Sequence, residues 1–116
     1  METQELREIW NEIKKFVELN PGWYRTRLKD GQSGVPFKAE NIRGRIRITI
    51  RSGKIIGYLK DDDFLALYPL YLRREKGEAV SGEAGKVNWR PIYFWGLIFW
   101  AYVRKRKPEM QAASPC

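Results

Sequence analysis

The sequence predicts an α+β fold: an N-terminal amphipathic helix, a small antiparallel sheet of three to four strands, and C-terminal helices packed on one face. Three patterns carry that prediction. Over residues 3–19, Leu6, Ile9, Trp10, Ile13, Phe16 and Val17 recur at the i, i+3, i+4, i+7 spacing of one helix face. Over residues 43–51, apolar and polar residues alternate strictly, which sends Ile46, Ile48 and Ile50 to one face of a strand and Arg45, Arg47, Thr49 and Arg51 to the other. Residues 91–103 are almost wholly apolar, from Pro91 to Val103, as befits a helix buried on all sides.

The first helix is expected to start at a Thr3 cap, with Glu2 and Glu5 near its positive end, and to stop at Asn20-Pro21-Gly22. A strand over residues 23–29 follows, in which Arg25, Arg27 and Lys29 share one parity. Residues 30–34 read as a turn. A second strand spans 35–40, with Pro36 pointing to a sheet edge or a strand start. Residues 41–44 turn the chain into the arginine strand. Ser52-Gly53 is a tight hairpin signal, and residues 54–59 form the return strand. The three aspartates 61–63 introduce a second helix, one as its cap and the others on its first turn, and Pro69 is expected to interrupt or kink it. Residues 73–88, polar and punctuated by Gly77, Gly82 and Gly85, predict an exposed loop. The apolar segment comes next. At ~1.5 Å per residue, 13 helical residues reach about 20 Å, short of a ~30 Å bilayer core, so no membrane span is expected. The basic run 104–107 ends it. Residues 1–107 are thus expected to form a single globular domain and 108–116 a disordered tail.

Charge bounds the partner. Lys and Arg number 22 against 14 Asp and Glu, for a net charge of +8 and an isoelectric point near 9.8. That balance favours nucleic acid or an anionic surface. The chain has no histidine, which removes the commonest general base and metal ligand. Its one cysteine, Cys116, excludes an internal disulfide and a thiolate zinc site, so neither a metal nor another cofactor is expected. The polar, charged start shows no secretory signal, and a cytoplasmic location is expected.

The arginine alternation suggests the chemistry. If the strands holding Arg25, Arg27 and Lys29 and Arg45, Arg47 and Arg51 share a sheet, their cations form one surface suited to a phosphate backbone. Arg104 and Lys105 of the basic run would add a clamp or simply complement a helix C-terminus. The competing reading is a solvated face whose arginines pair with nearby carboxylates; no acidic residue lies between Arg43 and Lys60. Asp61–Asp63 read better as helix-start residues than as a metal site. The loop 81–87 lacks the first glycine and the final Ser or Thr of a phosphate-binding loop. Trp23, Tyr24, Tyr93, Trp95 and Trp100 are expected in the core, with Trp89 beside Arg90 the best exception for base stacking. The expected function is a non-enzymatic nucleic-acid-binding module, DNA slightly preferred over RNA. The rivals are a protein-interaction or homodimerisation domain built on residues 92–103, and a small histidine-free ribonuclease toxin.

Overall fold

The computed structural model describes residues 2–28, 32–88 and 90–104. Helix α1 (Thr3–Leu19) leads into a four-stranded sheet: β1 (Gly22–Arg27), β2 (Ser33–Ile42), β3 (Arg45–Ile50) and β4 (Ile55–Leu59). Helices α2 (Asp61–Glu75), α3 (Ser81–Val87) and α4 (Ile92–Ile98) follow, and α4 runs into a π-helical turn, Phe99–Val103. The strands lie in the order β1-β2-β3-β4, each antiparallel to its neighbour. The fold is α+β, as its patterning predicts.

Two hairpins set the register. Between β2 and β3 the turn is Arg43-Gly44, both with positive φ (55° and 85°), which a two-residue loop matching the strand twist demands. The Gly44 amide donates to the Asn41 side chain at 2.8 Å. Ile42 therefore faces Arg45 and every second pair follows: Glu40 opposite Arg47, Lys38 opposite Thr49. Between β3 and β4, Gly53 (φ 93°) donates to the Ile50 carbonyl and Ile50 to that of Lys54.

One parity of the sheet is core. Tyr24, Phe37, Ala39, Ile46 and Ile48 are buried beneath the helices. The α1 stripe packs on β2 and β3, α2 packs on α1, and α4 lies on β1. Trp10 stacks on Phe64 with ring centroids 4.7 Å apart. Asn41 reaches from the sheet to donate to the Lys14 carbonyl of α1. The segment predicted to be apolar on all sides is spent in this core: Tyr93–Ile98 and Ala101 are buried, while Ile92 is exposed. A homodimer through 92–103 therefore finds no exposed stripe along 93–98. No helix among the described residues is long and apolar enough to cross a membrane.

Several local expectations are corrected. Glu2, not Thr3, is the N-cap of α1, because the Leu6 amide already reaches the Glu2 carbonyl. The aspartates do not cap α2. Asp61 accepts from the Trp10 indole and pairs with Lys14 at 3.5 Å, and Asp63 accepts from Asn88. They tie α2 to α1 and to the C-terminal end of α3. Pro69 does not interrupt α2; it is exposed, so water can satisfy the carbonyl left unbonded. Pro36 lies within β2 rather than at an edge strand, but beyond the last β3 pairing and beside the irregularity between Arg25 and Arg27, where no ladder amide is needed. Residues 73–88 are not one exposed loop. Arg73 holds Glu78 at 3.0 Å and Glu83 at 2.8 Å, and α3 buries Ala84 while Val80 is buried just before it. The proposed tail, 108–116, lies outside the described residues.

Arg27 marks a second join between sheet and helices. Its Nε donates to Glu75 at 2.6 Å, and its guanidinium lies 3.7 Å from the Phe99 ring centroid. Arg74 donates to the Arg27 carbonyl at 2.7 Å. Burial pushes the Glu75 carboxyl up, but the Arg27 hydrogen bond and the nearby Arg27 and Arg74 charges outweigh it, leaving the group below its ordinary value. A depressed carboxylate contributes stability at neutral pH that is lost as pH falls through its folded value. Glu75→Gln is expected to lower stability by about 1–3 kcal/mol, less than the ~3–5 kcal/mol of a fully buried pair, because the Glu75 side chain remains 28% exposed. Denaturant titrations from pH 7 to 3 check this: the wild type's advantage should shrink as the pH falls below the ordinary glutamate range, and an undiminished advantage at pH 3 would refute the assignment.

Candidate nucleic-acid interface

Among the described residues, no helix covers the other parity of the sheet. Its four strands present Trp23 and Arg25 from β1, Lys38, Glu40 and Ile42 from β2, Arg45, Arg47 and Thr49 from β3, and Ile55 and Tyr58 from β4. The rows across the sheet are Trp23–Lys38–Thr49–Ile55, Glu40–Arg47–Tyr58 and Ile42–Arg45. Directly opposed residues on one face stand about 4.5–5.5 Å apart at Cβ, so these side chains form a continuous surface.

The sequence-predicted cations divide. Arg25, Arg45 and Arg47 stand on this open face. Arg51 is exposed in the β3–β4 turn at its margin. Arg27 is displaced from it: the register shift between Arg25 and Arg27 breaks the alternation, and the Arg27 side chain turns to Glu75 and Phe99 on the helical side. A bulge is invisible to parity counting, which places Arg27 with Arg25. Arg104 is exposed at the end of the π-helical turn, its guanidinium 4.3 Å from the Trp100 ring centroid. Lys29 and Lys105 lie outside the described residues, as does Trp89.

A carboxylate shares the face. Glu40 accepts from Arg47 at 2.9 Å and lies 4.0 Å from Lys38. The Arg47 hydrogen bond, with the Lys38 and Arg47 charges, holds the Glu40 carboxyl below its ordinary value, so the pair persists at neutral pH. Glu40 lies outside the acid-free stretch between Arg43 and Lys60, on the neighbouring strand, and cross-strand pairing brings it opposite Arg47. Even so, four cations (Arg25, Lys38, Arg45 and Arg47) stand against this one acid among the described residues of the face.

Two aromatics complete the surface. Trp23 is 58% exposed and Tyr58 is 38% exposed. Trp23 was expected in the core, yet it shares parity with Arg25, and that signal places it outside; Tyr24, of the opposite parity, is the buried one. The Arg45 guanidinium lies 4.4 Å from the Tyr58 ring centroid, which orders both groups. Exposed rings among cations on a sheet can stack bases while the cations meet phosphates.

At the β1 margin the surface continues into a groove of about 580 Å³ between the end of α1, the start of β1 and the π-helical turn. Trp23 and Arg25 line it together with Phe16, Tyr24 and Trp100. Arg104 rests on Trp100, itself one of the residues that line the groove with Arg25. No protein-family model matches the chain, and no curated protein or solved structure matches it either.

Proposed function

We propose that the protein is a non-enzymatic nucleic-acid-binding module that lays a single strand across the open face of its sheet, with DNA the first candidate and RNA the second. The observation that carries this reading is the exposure of Trp23 and Tyr58 among Arg25, Lys38, Arg45 and Arg47 on one helix-free surface. A flat sheet face suits splayed bases better than a duplex, which hides its base faces from stacking. Phosphates would meet the arginines, whose guanidinium fork accommodates two oxygens at once. A cytoplasmic location goes with this reading, on the single cysteine and the nature of the partner.

Fluorescence-anisotropy titrations with single-stranded DNA, single-stranded RNA and duplex DNA, each at ~50 and ~200 mM salt, test it. Single strands should bind more tightly than the duplex and weaken steeply with salt. Failure of all three ligands at low salt would end the proposal. Glu40→Gln supplies a gain-of-function check. It removes the acid that competes for Arg47, so affinity should rise severalfold and the salt slope should steepen by about 0.7, the value of one added single-strand phosphate contact. Weakened or unchanged binding would show that Arg47 and Lys38 do not face the strand.

A further inference from the structure

We propose that the groove beside β1 seats one nucleotide unit of the bound strand, its base against the aromatic wall and its phosphate at Arg25 and Arg104. The proposal rests on the single-strand reading and adds where a base is taken up and by which residues.

Four aromatic residues, Phe16, Trp23, Tyr24 and Trp100, line the groove, and none of its described lining residues is acidic. Its volume, about 580 Å³, falls within the roughly 300–1,000 Å³ of small-ligand sites. The wall is held in place. Phe16 and Tyr24 meet edge to face with centroids 6.5 Å apart, and the Tyr24 hydroxyl donates to the Asn20 carbonyl at 2.6 Å. Burial pushes the Tyr24 phenol up to about 12, so it stays neutral and does not repel an anion. Trp100 sits on the π-helical turn, whose wider winding shifts side chains around the axis relative to α4: Phe99 meets Arg27, while Trp100 lines the groove.

Arg25 lines the groove, and Arg104 lies over a lining residue, Trp100. Arg25 donates through Nη1 to the Gly34 carbonyl at 3.0 Å, which anchors the guanidinium and leaves its remaining donors open to a phosphate. An aliphatic ligand would use the apolar wall and ignore the cations. A bare phosphate would use the cations and ignore the rings. A nucleotide uses both, and Trp23 and Arg25 belong to groove and sheet face alike, so a strand crossing the face reaches the groove without a break.

Nucleoside 5′-monophosphates, titrated against the full chain and followed by tryptophan fluorescence and by isothermal calorimetry, test the assignment, with inorganic phosphate as the control. The monophosphates should bind at least tenfold more tightly than phosphate. Trp100→Leu should weaken them roughly tenfold or more, the loss of one stacking partner, while the salt slope for a long single strand stays as in the wild type. Trp23→Ala, at an exposed site, should weaken monophosphates comparably and covers the case in which Trp100→Leu fails to fold. Equal binding of phosphate and monophosphates, or undiminished monophosphate binding in the folded variants, would overturn the groove. Absence of monophosphate binding beside intact oligonucleotide binding would overturn the groove alone; absence of both would overturn the sheet-face reading as well.

Discussion

Replacing Gly96 with alanine should destabilise the protein by roughly 2 kcal/mol, although alanine is the better helix former. Helix α4 crosses β1 at this residue. A Cβ there would stand 2.5 Å from the Arg25 carbonyl oxygen, 3.1 Å from the Thr26 Cα and 3.0 Å from the Phe37 ring. Two of the three obstacles are backbone, which cannot swing aside. The helix must retreat, opening gaps between the buried Phe94, Leu97 and the sheet. Overpacking of this kind costs about 3 kcal/mol at the upper end of its usual range. Removing a mid-helix glycine returns about 1 kcal/mol, so the clash wins. In a domain of this size the melting temperature should fall by roughly 8–12 °C. Gly82→Ala in α3 is the control, since a Cβ there meets nothing within 4 Å; its melting temperature should hold or rise. A Gly96 variant as stable as the wild type would mean that α4 does not press on β1, and the placement of Arg25 would lose its foundation.

What the sequence discloses and what it hides follow from the range of the interactions involved. The α1 stripe and the β3 alternation are local and readable: Leu6, Ile9, Trp10, Ile13, Val17, Ile46 and Ile48 are buried where their periods put them, and Phe16 and Ile50 are partly buried against them. The pairing of Glu40 with Arg47 was readable in principle. Once Arg43-Gly44 is taken as the two loop residues, the opposition of Ile42 to Arg45 and of Glu40 to Arg47 is forced. For Trp23, hydrophobicity points to the core and strand parity to the open face, and parity decides. Arg27 was beyond reach, since a bulge leaves no mark in a period-2 pattern. Residues 73–88 resemble a loop by composition, but Arg73 gathers Glu78 and Glu83 across the turn, an arrangement no local rule implies. The groove is the least legible feature of all. Phe16, Arg25 and Trp100 come from three separate elements, and only the packing of α1 on β2, β3 and the π-helical turn, with α4 on β1, brings them to one place.

The double substitution Arg45→Ala with Arg47→Ala should produce the largest loss of binding with little change in fold. Both arginines stand on the helix-free side of β3, and neither contributes to the core beneath it, which belongs to Ile46 and Ile48. Arg47 acts twice on this face. On the proposed reading it would offer charge to a phosphate, and it neutralises Glu40; without it the carboxylate keeps only Lys38, 4.0 Å away, and repels a strand more strongly. Arg45 also orders the Tyr58 ring by lying over it, so its removal loosens a stacking surface along with a charge. For single strands each phosphate contact contributes a slope of ~0.7 in log affinity against log salt, so losing two should flatten the slope by about 1.4 and weaken binding roughly 25-fold at ~0.1 M salt. Repulsion from Glu40 pushes the loss further, and adding Glu40→Gln to the double variant should recover part of it. That recovery separates electrostatic loss from damage to the sheet, because a damaged sheet would not be mended by removing a surface carboxylate. Unchanged affinity and salt slope in a variant whose denaturation curve matches the wild type would mean that the polyanion does not cross this face.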